Sequence, residues 1–153
     1  MKIDKTQLVA AIENGTVIDH IPTDKVFVIA GLLQLDKCCD QVTVGNNFQS
    51  ERMGKKGLIK IANRFFSDEE MSRLAVVCPG IRFCLIRNYE VVEKRIATLP
   101  DRLVNVVRCA NPMCITNNEP MPTVFYVTDK EAGTVKCRYC GKEQSTKNIK
   151  LVE

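Results

Sequence analysis

The segments CANPMC (residues 109–114) and CRYCG (residues 137–141) decide the fold of the last third of this chain. They supply two close cysteine pairs, C-x4-C and C-x2-C, which are separated by 22 residues. Two such pairs, each in a tight turn, are typical of a structural zinc site in which four thiolates surround one ion. Pro112 stiffens the first turn, and Gly141 lets the backbone fold back after the second pair. We therefore predict one structural zinc ion per chain, bound by Cys109, Cys114, Cys137 and Cys140.

Spacing alone leaves two alternatives open for these cysteines. A secreted domain would use them as two disulfides, although residues 1–5 lead into no signal-peptide core and cytosolic thiols stay reduced. A catalytic zinc would need an open coordination position, whereas four sulfur ligands complete the tetrahedron. The remaining cysteines lack metal-site spacing: Cys38 and Cys39 are adjacent, while Cys78 and Cys84 lie among apolar residues and are interpreted as buried small side chains.

Composition bounds the class of protein. The chain has 153 residues, of which 45% are hydrophobic and 26% charged, as expected for one large or two small globular domains. No apolar run approaches the roughly 18 residues of a membrane span, so a cytoplasmic protein with no membrane partner is expected. Four thiolates and one Zn²⁺ would reduce the net charge of +4 by two, which disfavours a polyanion such as DNA as partner.

Periodicity predicts an α+β protein. Residues 55–63 alternate as in a strand, with Gly57, Ile59 and Ile61 on one face and lysines on the other. Further strands are expected at residues 16–21, 42–45, 81–86 and 89–96, with a polar loop through about residue 54. Helices are expected from Thr23 or Asp24 to about Leu35, and from the capping box that begins at Ser67 to near Pro79.

The resulting order, β-α-β-β-α-β plus one strand, predicts a ferredoxin-like domain: an antiparallel sheet with two helices. After a hinge at residues 98–101, only short strands are expected, at residues 103–107, 123–127, 134–136 and 149–152. The predicted domains are therefore residues 1–98 and a small all-β zinc domain at residues 99–153. The second is small for a self-sufficient core, and the metal supplies the missing stability.

Several polar residues of the first domain suit an anion. Lys56 and Lys60 lie on one strand face about 13 Å apart at roughly 3.3 Å per residue. Asp19 and His20 end the first strand, and Lys94 lies near the end of the last strand. Flexible lysines could converge there on a polyphosphate. A solvated strand face and a structural histidine remain the alternatives, and no P-loop or GxGxxG motif is present.

Longer motifs carry a resemblance to a known family. The segments GTVIDHIP (15–22), MGKK (53–56), LIKI (58–61) and NYEVVEK (88–94), together with Leu99-Pro100 and the cysteine spacing, resemble the aspartate carbamoyltransferase regulatory chain. The resemblance implies a non-catalytic, allosteric subunit in pyrimidine biosynthesis whose dimers bridge catalytic trimers. It implies that the first domain binds nucleoside triphosphates, with inhibition by CTP, often together with UTP, and opposition by ATP. The zinc domain would dock on the catalytic chain.

The resemblance also implies a nucleotide site. Lys94 and His20 would face the phosphates, Lys56 the ribose or phosphates, and Lys60 the base and the amino-terminal segment. Two positions near the ligand depart from the family, which usually has glutamate where this chain has Ala10 and asparagine where it has Cys84. In the zinc domain, Asn111 matches a residue that faces the catalytic chain, whereas Met113 and Gly141 depart from the family pattern. The implied nucleotide-binding residues are Val9, Ala11, Ile12, Val17, Asp19, His20, Lys56, Lys60, Ile86, Tyr89, Val91 and Lys94.

Two rival functions remain at this stage. A zinc-ribbon nucleic-acid-binding protein would need a basic patch or stacking aromatic side chains, which the predicted strands 42–44 and 55–63 lack on their exposed face. A free-standing small-molecule sensor would regulate some other enzyme. Co-purification with a carbamoyltransferase catalytic chain would distinguish the second rival from the regulatory subunit.

Overall fold

The computed structural model describes residues 11–152, which form two compact units. The amino-terminal unit comprises the described part of Met1–Ser67 together with Gly80–Ala97. The carboxyl-terminal unit comprises Asp68–Pro79 together with Thr98–Glu153. The chain therefore passes from one unit to the other three times.

The amino-terminal unit contains five strands: β1 (Gly15–Ile21), β2 (Val42–Ser50), β3 (Gly54–Ala62), β4 (Arg82–Arg87) and β5 (Glu90–Ile96). They form one antiparallel sheet with the order β2-β3-β1-β4-β5. The helix α1 (Val26–Leu32) lies between β1 and β2 in the chain, and the helix α2 (Asp68–Val77) lies between β3 and β4. This order is that of a ferredoxin-like sheet with one added edge strand, and it confirms the expected fold class.

One face of this sheet forms the core of the amino-terminal unit. Ile18, Ile59 and Phe83 lie in register across β1, β3 and β4 and are fully buried. Val26 and Ile29 of α1 are equally buried. The alternation expected for residues 55–63 is confirmed, because every second side chain of β3 is buried and the intervening ones are partly exposed.

Two elements differ from expectation. The first helix is shorter than predicted at both ends. Before it, the Lys25 amide donates to the Pro22 carbonyl at 2.9 Å and closes a turn. After it, Gln34 adopts φ +53, which is not a helical conformation. The second strand is longer, because residues 46–50 continue β2 in place of the predicted loop. A register shift between Gly45 and Phe48, with Asn47 at φ +63, accommodates the polar residues within the ladder.

The carboxyl-terminal unit contains α2 and four strands: β6 (Arg102–Val104), β7 (Val124–Asp129), β8 (Thr134–Cys137) and β9 (Glu143–Ser145). The strands form an antiparallel sheet with the order β6-β7-β8-β9. The core of this unit includes Phe125, Leu103 and Val135, and Val76 of α2 belongs to the same cluster. The expected strand at residues 149–152 is only a bridge between Leu151 and Val107, and β9 is a strand that the sequence pattern does not predict.

No α-helix follows the hinge at residues 98–101 within the described part of the chain, as predicted. Only single 3-10 turns occur there, at Ile115–Asn117 and Thr146–Asn148. Across residues 11–152, no helix has the length and apolar character needed to traverse a membrane.

Gly57 fixes how closely α1 packs on β3. An alanine Cβ at this position would overlap the Val26 side chain and would lie 3.2 Å from Asn46 Oδ1. We expect Gly57→Ala to destabilise the protein by about 1–3 kcal/mol, as overpacking in a tight core does. The urea midpoint of unfolding, compared with that of the wild type, measures this cost.

Gly31→Ala is the matched control, because a Cβ at Gly31 in α1 would meet no atom within 4 Å. Alanine in a helix is favoured over glycine by about 1 kcal/mol, so this variant should be as stable as the wild type or more stable. Equal stability of the two variants would show that α1 does not pack closely against Gly57.

Candidate functional site

The four predicted zinc ligands meet at one point. Their Sγ atoms all lie within 4.8 Å of one another, with 3.7 Å between Cys109 and Cys140 and 3.8 Å between Cys114 and Cys137. A tetrahedron with Zn–S bonds of about 2.3 Å has edges of about 3.8 Å. The cluster therefore fits one structural zinc ion, and its four ligands leave no position for a catalytic water.

Backbone turns hold each cysteine pair. In the first pair, the Cys114 amide donates to the Asn111 carbonyl at 3.0 Å. In the second, the Gly141 amide donates to the Cys137 carbonyl at 3.0 Å, and Gly141 has φ +74, a conformation that glycine adopts without strain. The two turns thus point both pairs of sulfur atoms inward.

Asparagine side chains fix the first turn, and the sequence analysis missed them. Asn117 Nδ2 donates to the carbonyls of Cys109 at 2.9 Å and Asn111 at 2.7 Å. Asn118 Nδ2 donates to the Cys114 carbonyl at 2.9 Å. The signal that could have found them is the pair of asparagines three and four residues after Cys114, since such groups often orient metal-binding turns.

Burial explains why these thiols need a cation. Cys109, Cys114 and Cys137 are buried, and burial raises the pKa of Cys109 to about 12 and also raises that of Cys137. Burial opposes ionisation of Cys140 too, but the Lys142 amide and neighbouring donors lower its pKa to about 7. Buried thiols ionise readily only when a metal replaces their protons, so metal binding and folding of this unit are coupled.

On the amino-terminal unit, four of the strands form a row of residues in register. Lys60 on β3 pairs with Val17 on β1, Val17 pairs with Cys84 on β4, and Cys84 pairs with Lys94 on β5. We call Lys60, Val17, Cys84 and Lys94 the cross-strand row. Three strand spacings separate the two lysines, about 14 Å at the Cα atoms. The row lies on the face opposite the buried Ile18 and Phe83.

The position of Cys84 corrects the sequence interpretation of the isolated cysteines. Cys78 is buried as expected, but Cys84 is only partly buried. Alternation along β4 puts Phe83 in the core and therefore puts Cys84 on the opposite face. Partial burial still raises the pKa of the Cys84 thiol above its ordinary value.

The predicted base-binding residues gather at the end of the sheet where β1 begins. Ile86 pairs with Gly15 on one side and with Val91 on the other, and the Tyr89 amide donates to the Glu13 carbonyl at 2.9 Å. Ile12 and Ile86 are buried, whereas Ala11, Tyr89 and Val91 are exposed. Val9, also predicted for this site, lies outside the described residues, as does Ala10.

Asp19, His20 and Lys56 form a polar group at the other end of β1. Lys56 Nζ lies 2.9 Å from Asp19 Oδ1 and 3.1 Å from Oδ2. His20 has φ +61, and its amide donates to Asp19 Oδ1 at 2.7 Å. Its Nδ1 is buried without a hydrogen-bond partner among the described residues and lies 3.4 Å from Asp19 Oδ2.

Charges around this group decide its protonation. Burial lowers the pKa of His20, and Lys56, Arg82 and Arg52 lower it further, against the opposing effect of Asp19. Burial alone would raise the pKa of Asp19, but the Lys56 and His20 contacts hold it below its usual value. At neutral pH Asp19 is therefore ionised beside Lys56, and the imidazole of His20 is neutral.

The charges of this group can be tested through His20, which is the chain's single histidine. Its NMR titration midpoint should lie below the ordinary value of 6.5. Asp19→Asn should lower the midpoint further, because it removes the carboxylate that favours the imidazolium, and Lys56→Ala should raise it. Since the folded protein resists protonation here, the stability present above pH 6.5 should fall as the pH drops towards the folded midpoint.

Lys150→Ala serves as the control for this titration, since it removes one exposed lysine from the carboxyl-terminal unit. It should leave the midpoint unchanged. A shift of the same sign in Asp19→Asn and Lys56→Ala would contradict the arrangement described.

Comparison with known proteins identifies the family of the chain. Residues 7–98 match the family model described as aspartate carbamoyltransferase regulatory chain, allosteric domain, and residues 101–150 match its metal binding domain. The regulatory chain of Phocaeicola vulgatus is 58% identical over 144 residues, 94% of this chain and 93% of the relative. The regulatory chains of Bacteroides thetaiotaomicron and Pyrococcus abyssi are 53% and 40% identical, covering 94% and 92% of this chain and 94% of each relative. The relatives are regulatory chains, which are non-catalytic subunits, so the prediction that this chain is not an enzyme is confirmed. The chain belongs to the aspartate carbamoyltransferase regulatory chain family.

Proposed function

We propose that this chain binds nucleoside triphosphates on its first domain, residues 1–98, and docks on the catalytic chain through its zinc domain, residues 99–153. Bound CTP, together with UTP, inhibits the enzyme and ATP opposes this inhibition, so that the chain exerts feedback control on pyrimidine biosynthesis. The observation that carries the proposal is the cross-strand row, which brings Lys60 and Lys94 onto one sheet face.

The phosphates are assigned to the cationic part of this face. Lys94 is exposed on the edge strand, the buried Nδ1 of His20 makes no hydrogen bond among the described residues, and the positive charges of Lys56, Arg82 and Arg52 lower the pKa of His20. A triphosphate offers several anionic oxygens, and charge-assisted hydrogen bonds to such oxygens are stronger than neutral ones. Because Asp19 already pairs with Lys56, we assign this pair to the ribose end of the phosphates, where a carboxylate can accept from a hydroxyl.

The base is assigned to the opposite end of β1. Ile12 and Ile86 supply buried apolar surface, and Val17 lies two residue pairs farther along β1 from the Gly15–Ile86 pair. The exposed ring of Tyr89 stands in the turn between β4 and β5, where Asn88 and Tyr89 both have positive φ. Backbone groups of residues 11–14 and of this turn then supply polar partners for a base, with Ala11 and Val91 around it.

Exposed apolar side chains support docking of the zinc domain. Met113 is 84% exposed in the first cysteine turn, and Ile115 and Tyr139 are exposed beside the cysteines. Apolar groups clustered on a surface are typical of interaction sites. We therefore assign this surface to the catalytic chain and assign the zinc ion the structural role of holding it in shape.

A second surface supports pairing of two regulatory chains. Phe27 is 73% exposed on α1, and Val28 and Leu32 are exposed on the same helix. The edge strand β2 carries an exposed Val44 and, within residues 11–152, pairs with no strand other than β3. An apolar helix face with an edge strand suits a second copy of the chain. Because the thiolates of the zinc site must stay reduced, we place the assembly in the cytoplasm.

Removal of either row lysine tests the nucleotide site. A charge-assisted contact is worth roughly 1.5–3 kcal/mol, so Lys60→Ala and Lys94→Ala should weaken nucleotide binding by about 10- to 150-fold. Calorimetric titration of CTP and ATP into each variant measures the change. Activity of the reconstituted holoenzyme without effector should stay near the wild-type value, because regulation and catalysis use different chains.

Lys150→Ala, which removes an exposed lysine from the carboxyl-terminal unit, is the control and should bind both nucleotides with wild-type affinity. Unchanged affinity in both row variants would refute the site. A collapse of basal activity in either variant would indicate a role in catalysis.

Removal of one zinc ligand tests docking. Cys114→Ala should abolish stoichiometric zinc binding and prevent the chain from co-eluting with catalytic trimers in gel filtration. It should still bind nucleotide, because the core of the amino-terminal unit contains none of the four zinc ligands. Co-elution of a zinc-free Cys114→Ala chain would show that the zinc domain is not the docking surface.

A charge on α1 tests the regulatory dimer. Phe27→Glu should convert the isolated chain from dimer to monomer in sedimentation, because burying an unpaired carboxylate at an interface is costly. Lys37→Glu, a charge change in the short turn after α1, is the control and should leave the dimer intact. A Phe27→Glu chain that stays dimeric would place the interface elsewhere.

A further inference from the structure

The four sulfur atoms differ in their accessibility to solvent. Cys109, Cys114 and Cys137 are 4%, 2% and 1% exposed, whereas Cys140 is exposed. Cys140 lies in the second cysteine turn, next to the exposed Tyr139. A reagent that approaches the cluster from water therefore reaches Cys140 before any of the other three sulfur atoms.

A second sulfur atom is in place to react with an oxidised Cys140. Cys109 Sγ lies 3.7 Å from Cys140 Sγ. A disulfide needs a separation of about 2.05 Å, so these atoms must approach by roughly 1.7 Å. Cys114 and Cys137 form the other close pair, at 3.8 Å, but both are buried.

We propose that Cys140 is a peroxide-sensitive modification site whose oxidation releases the zinc ion through a Cys109–Cys140 disulfide. The Cys140 sulfur attacks one peroxide oxygen, so an S–O bond forms, the O–O bond breaks, and hydroxide leaves to become water. The Cys109 thiolate then attacks the Cys140 sulfur; an S–S bond forms, the S–O bond breaks, and a second hydroxide leaves. Two thiolates have lost two electrons in total, and the peroxide has gained them.

The consequence rests on the docking function proposed above. With Cys109 and Cys140 joined, only two thiolates remain for the ion, and a structural zinc site needs four ligands. Because Cys140 lies beside the Tyr139 surface assigned to the catalytic chain, docking would cover it. Oxidation therefore acts on the free regulatory chain and blocks its assembly, and a dithiol reductant with zinc restores the chain.

The test uses the full zinc-loaded chain carrying Cys38→Ser, Cys39→Ser and Cys84→Ser, since Cys39 is exposed and Cys38 and Cys84 are partly exposed. Substoichiometric hydrogen peroxide is added, zinc release is followed with a chromogenic chelator, and disulfides are mapped by mass spectrometry. We expect one zinc released per Cys109–Cys140 disulfide formed. First oxidation at a buried ligand, a Cys137–Cys140 disulfide, or oxidation of Cys140 without zinc release would overturn the proposal.

Gel filtration with catalytic trimers separates this proposal from the docking function. The oxidised chain should fail to assemble, and the preassembled holoenzyme should lose zinc at least about tenfold more slowly than the free chain, because access governs thiol oxidation. An oxidised, zinc-free chain that still assembles would refute the docking function while supporting the oxidation site. Equal rates of zinc loss from the free chain and from the holoenzyme would show that docking leaves Cys140 accessible to peroxide and would overturn the proposed protection.

Discussion

The carboxyl-terminal unit depends on the convergence of four sulfur atoms. Three of the four cysteines belong to the same buried cluster as Phe125, Leu103 and Val135, so the metal site and the apolar core are one structure. Strands β6, β8 and β9 have only three or four residues each, too few to bury a large core by themselves. One ion that joins the turn at residues 109–114 to the end of β8 supplies the missing constraint. Asn117 and Asn118 complete it by fixing the backbone around that turn.

The amino-terminal unit depends on a different constraint, the register of β1 between β3 and β4. That register buries Ile18, Ile59 and Phe83 on one face and aligns Lys60, Val17, Cys84 and Lys94 on the other. A slip by one residue would exchange the two faces, so the core that stabilises the sheet also fixes the polar row. Stability and the proposed nucleotide site are thus consequences of one pairing pattern.

The chain crosses between these two units at both ends of α2. It leaves the sheet after β3, forms α2 within the carboxyl-terminal unit, and returns to the sheet as β4. Val76 of α2 belongs to the core that contains three of the cysteines, while β3 and β4 carry Lys60 and Cys84 of the row. Helix α2 therefore belongs to the carboxyl-terminal unit, although β3 and β4, which precede and follow it in the chain, belong to the amino-terminal unit.

The sequence by itself determined the features that depend on local pattern. Cysteine spacing identified the metal ligands, because a turn brings two nearby thiols together whatever the rest of the chain does. Alternation identified β3 and its two faces, and the order of strands and helices identified the ferredoxin-like sheet. The tertiary structure alone decided the features that depend on distant partners. The ends of α1, the length of β2 and the existence of β9 follow from pairing and turns with other segments. The exposure of Cys84, the roles of Asn117 and Asn118, and the exposure of Cys140 among buried ligands follow from packing, because the environment of a side chain is set by residues remote in sequence.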